Sequence, residues 1–95
     1  GTGTGDLCTI KALAIYAEDQ QYHAAQSELN HAWFEEGQDM ADLAVALAEG
    51  DEEGVARATA KSLVDDANIA RAQIEVDELL DDLNAAAADY WASGC

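Results

Sequence analysis

Glu28-Leu29-Asn30-His31 sets a carboxylate and an imidazole three residues apart. On a helix such a pair shares a face, and ferritin-like di-iron bundles take one from each of two helices together with two further carboxylates. The pattern occurs once here, because His23, the only other histidine, has Gln20 and Gln26 at the matching distances. A second copy of the chain would have to supply the other half, with Glu18 or Glu75 as added ligands. The plainer alternative is a solvent-facing Glu28 and His31 on a polar stretch of helix. His23 beside Tyr22 has the residue types of a haem axial site, although an exposed surface histidine is the simpler expectation. The reading is therefore no cofactor, with a transition metal or haem on Glu28, His31 and His23 as its rival.

Cys8 and Cys95 point to different chemistry. Two thiols do not complete a structural zinc site, and their separation rules out a C-x-x-C redox motif. A disulfide between them would close most of the chain into one loop, worth roughly 4 kcal/mol in the chain-entropy description. Such a bond persists in oxidising compartments, so the expectation is a secreted or envelope-associated protein. Catalysis has no comparable support. No serine, cysteine or histidine stands in a nucleophile-base relation, and Gly1-Thr2-Gly3-Thr4-Gly5 is not a phosphate-binding turn because no strand precedes it. A non-enzymatic role is expected.

Charge narrows the partners. The 95 residues carry 20 acidic and 4 basic side chains, a formal net charge of −16. Lys11, Arg57, Lys61 and Arg71 are too few and too scattered to neutralise phosphates, which excludes direct nucleic-acid binding, and an anionic membrane surface is excluded on the same ground. No apolar run approaches the roughly 18 residues of a membrane span. Glu75, Asp77, Glu78, Asp81 and Asp82 project radially from a helix instead of converging from a glycine turn, so they do not form a calcium loop. They read as a solvated face, as a surface for a basic partner, or as a place of low-affinity cation accumulation. An acidic decoy of a basic nucleic-acid-binding protein would have the same composition.

The elements that must position these groups are helices. Alanine, the best helix former, supplies 21 residues, and proline is absent. Residues 1–5 read as a flexible leader and 6–95 as one helical domain. Asp6 caps a first helix over about 7–36, whose apolar stripe runs Ile10, Leu13, Ala14, Ala17 and then drifts to Tyr22, Ala25, Leu29, Ala32 and Trp33, with Gly37 as its stop. A second helix follows at 39–49, capped by Asp39 and ended by Gly50. A third, capped by Asp51, covers 52–92, where Ile69, Val76, Leu83 and Tyr90 form a seven-residue seam. Asp65, Asp66 and Asn68 leave open a break near 65–68.

Parity then selects the architecture. A Cys8–Cys95 bond brings both cysteines to one end of an up-and-down arrangement, which requires an even number of rods. The class is all-α: an antiparallel helical hairpin turning at Gly50-Asp51, or an up-down four-helix bundle with the extra break. Large apolar side chains make up only about a quarter of the chain, too thin a core for a small domain, so a homo-oligomer is expected. Trp33-Phe34 and Tyr90-Trp91 are the interface candidates, since neighbours on a helix point about 100° apart and one of each pair can face a partner.

Overall fold

In the computed structural model the backbone is described for residues 2–95 and the side chains for residues 6–95. The leader expected at 1–5 thus lies outside the residues described in full. Two helices account for the fold, α1 (Thr2–Glu49) and α2 (Glu52–Ala92), with no strand among the described residues. The architecture is all-α, and the hairpin form fits it. The four-helix form is not what the structure shows, because α2 passes through residues 65–68 without a break.

Gly37 does not stop α1. Its φ is not among the positive values, and a Cβ placed there would meet nothing within 4 Å. An interior glycine costs a helix about 1 kcal/mol against alanine, which the packing of helical residues on either side outweighs. The stop comes at Gly50, at φ +70. Gly50 N–H donates to Leu47 O at 3.3 Å and Asp51 N–H to Ala46 O at 2.9 Å, the paired bonds that satisfy the last carbonyls of a helix behind a left-handed residue. Asp51 then opens α2: its Oδ1 accepts from Gly54 N–H at 3.0 Å and its carbonyl from Val55 N–H at 2.9 Å. A single residue completes one cap and supplies the other.

The chain divides into two compact units. The first, Ser27–Ile74, contains the turn. Leu29, Ala46 and Ala58 are its buried apolar residues, and Asp65 is buried as well. Ala58, Asp65 and Ala72 are seven residues apart, so a carboxylate takes the heptad place that alanine fills on either side. Ser62 Oγ donates to Glu36 Oε1 at 3.2 Å across the helix pair.

The second unit joins the segment ending at Gln26 to Glu75–Cys95. Ala25 and Val76 are buried, while Ile15, Tyr22, Leu79, Leu83 and Tyr90 are half-buried. The Val76/Leu83/Tyr90 seam therefore faces inward as its spacing predicts. The early α1 stripe does not: Ile10 and Leu13 are 63% and 62% exposed, and Ala14 and Ala17 are exposed as well. The disulfide explains this. With Cys8 turned inward, a rotation of about 100° per residue brings Lys11, Ile15, Glu18 and Tyr22 to the same side and carries Ile10, Leu13, Ala14 and Ala17 to the opposite one.

Candidate functional site

Cys8 and Cys95 are bonded, with Cα atoms 5.7 Å apart and 87 residues of sequence between them. Gly94, at φ +82, turns the chain out of α2 so that Cys95 can reach Cys8. A polar clamp lies along the same helix pair. Lys11 Nζ pairs with Asp89 Oδ2 at 3.0 Å and donates to Ser93 Oγ. The Ser93 hydroxyl in turn donates to Asp89 O at 2.8 Å. Lys11, the one base in residues 1–38, is thereby half-buried on the inner side of α1.

The residues with metal-ligand types are dispersed. His31 Nε2 faces Glu35 Oε1 at 2.9 Å, one turn onward, and not Glu28. His23 Nδ1 meets the carbonyl of Asp19 at 2.8 Å and its carboxylate at 3.4 Å. Both imidazoles are largely exposed. Among the described residues no three His, Cys, Asp or Glu side chains come together in a way that could hold a metal ion. For haem, the structure supplies Tyr22 edge-on to His23, with centroids 5.7 Å apart.

The aromatic pairs behave differently from each other. Tyr90 is half-buried and meets Trp91 edge-to-face at 5.3 Å, while Trp91 is 71% exposed. Trp33 and Phe34 are both exposed, so neither enters the core. Leu29, Ala32 and Glu36 hold the inner side of α1 at that level, and a rotation of 100° per residue leaves Trp33 on its flank and Phe34 pointing away.

The most unusual environment is one that capping logic hides. Asp39 suits the start of a helix at 39–49 and Asp65 an optional break near 65–68, yet both lie inside uninterrupted helices. Asp65 is hydrogen-bonded to Asp39, and its Oδ2 is buried without a hydrogen-bond partner. The bond to Asp39, burial, and the negative charges of Asp39, Glu36 and Glu35 raise the Asp65 carboxyl to about 6. Two carboxyls this close favour sharing one proton. Glu35, Gln38, Asp39, Ala60, Lys61, Val64 and Asp65 line a groove of about 480 Å³. The signal was present in the sequence: an aspartate at the heptad position of Ala58 and Ala72 faces the neighbouring helix. Set against protein-family models, curated proteins and solved structures, the chain matches none of them.

Proposed function

We propose that this chain acts non-catalytically, through a protein or ligand interface, as a self-associating helical protein of an oxidising compartment, secreted or held at the cell envelope. One observation carries the reading: the chain has almost no core of its own. Among the described residues the buried apolar ones are Ala25, Leu29, Ala46, Ala58 and Val76, and no side chain is fully buried, whereas fourteen large apolar side chains are exposed.

Charge selects where two copies would meet. Residues 7–17 contain Lys11 and no acid, so the exposed stripe Leu7, Ile10, Leu13, Ala14 and Ala17 is apolar surface that two copies can bring together with least repulsion. The disulfide supports the oxidising compartment; among the described residues no helix is long and apolar enough to cross a membrane.

Sedimentation velocity of the oxidised protein tests this across concentration and salt. Association should strengthen as salt rises from about 10 to 300 mM, because screening weakens repulsion between like-charged copies, and Leu13→Glu should abolish it. A monomer at every salt and concentration, with unfolding independent of protein concentration, would overturn the reading.

A further inference from the structure

We propose that the groove bordered by Glu35, Asp39 and Asp65, with Ala60, Val64 and Lys61, is a binding site for an alkylguanidinium cation, the head group of an arginine side chain. The inference stands apart from self-association. Its first support is an unmet demand: Asp65 keeps only 6% of its surface, and its Oδ2 is buried with no donor. Leaving such an oxygen without a donor is costly, and Asp39, the group bonded to Asp65, is another acid. Its second support is the groove itself, about 480 Å³, enough for one long side chain.

The lining chooses among occupants. Three carboxylates repel an anion and disfavour an apolar ligand. A metal ion needs several converging ligands, and the described residues bring no such set together. An organic cation remains. Asp39 on α1 and Asp65 on α2 adjoin, so a planar head with donors in a fixed fork can address both carboxylates. Ala60 and Val64 give the methylene stem an apolar wall. Lys61 is the only base on the lining, and among the described residues it makes no ion pair. It also borders the adjoining recess of Asp42, Glu49 and Asp51, where its ammonium has acidic neighbours when the groove is filled.

N-acetylarginine amide is the probe, titrated calorimetrically into the oxidised protein at pH 7 and low salt. Three variants are compared with wild type: Asp65→Asn and Asp39→Asn in the groove, and Asp82→Asn on the exposed side of α2. Each removes one negative charge, so general attraction to an acidic surface falls equally in all three. Saturable binding should weaken about tenfold in the two groove variants and less than about twofold in Asp82→Asn. Helical circular dichroism confirms that each variant is folded. Equal weakening in all three, or no saturable binding by wild type, overturns the proposal. Ethylguanidinium separates the sources: binding as tight as the capped arginine marks a free small cation, and weaker binding marks an arginine presented with its stem by a peptide. In both cases the guanidinium assignment holds.

Discussion

Breaking the Cys8–Cys95 bond is the perturbation whose size the structure defines best. The bond closes a loop of 87 residues, and for that length the chain-entropy relation gives about 4.6 kcal/mol at 25 °C. Against the 5–15 kcal/mol typical of native domains, this is a large part of the stability of a chain with five buried apolar residues among those described. The clamp of Lys11, Ser93 and Asp89 does not replace it, since Asp89 is 62% exposed and such an ion pair contributes at most about 1 kcal/mol. Urea unfolding followed at 222 nm, on dilute oxidised wild type and on the Cys8→Ser/Cys95→Ser variant, measures the difference. The expected loss is 4–5 kcal/mol by this relation, accompanied by lost amide protection along residues 6–26 and 75–93. The 27–74 unit, whose turn is capped locally, should keep more of its protection. A loss below about 1 kcal/mol, or protection lost evenly along the chain, refutes the account in which the disulfide substitutes for a core.

Two glycines should respond in opposite directions to the same substitution. Gly37→Ala should stabilise by about 1 kcal/mol, because the helix is regular and the space is open there, while Gly50→Ala should destabilise by about 1–2 kcal/mol because φ is +70; thermal melts of both distinguish them. Asp65 should make stability depend on pH. Its folded value of about 6 lies above the ordinary 3.8, so between these limits the folded state holds more protons than the unfolded one. Its stabilising contribution is complete below about 4 and is lost as pH rises through 6. The stability difference between Asp65→Asn and wild type should therefore grow across that window in favour of the variant, and a pH-independent difference counts against the shared proton.

Helix content, the turn and the disulfide were all legible in the sequence for related reasons. Alanine and the absence of proline favour helix throughout, Gly50-Asp51 joins the two strongest end signals in adjacent positions, and the parity of rods links that turn to the cysteines. Gly37 and the stretch 65–68 misled because glycine and aspartate end helices only when tertiary packing agrees. Both cost a continuous helix little enough to be carried inside it. The rotation of early α1 was hidden for another reason. Ile10, Leu13, Ala14 and Ala17 form the more apolar stripe, but helix rotation follows Cys8, a covalent constraint that hydropathy does not weigh. Asp65 escaped notice because an acid on an inner face contradicts the pattern used to find that face. Of the residues singled out for chemistry, the cysteines are joined, whereas His31 meets Glu35 in place of Glu28.

The double use of Asp51 bears on the order in which the chain assembles. Ser62 and Glu36, near the turn, are 26 residues apart, but Lys11 and Ser93 are 82 apart. Helix nucleation is the costly step, and a residue that caps in both directions lets one event start two helices. Contacts close in sequence then form first, and every turn of helix added afterwards shortens the loose chain that separates the remaining pairs. Cys8 and Cys95, remote in sequence, become near neighbours only at the end of this progression. The rate at which the thiols find each other is thus governed from the middle of the chain, by a side chain that touches neither sulfur.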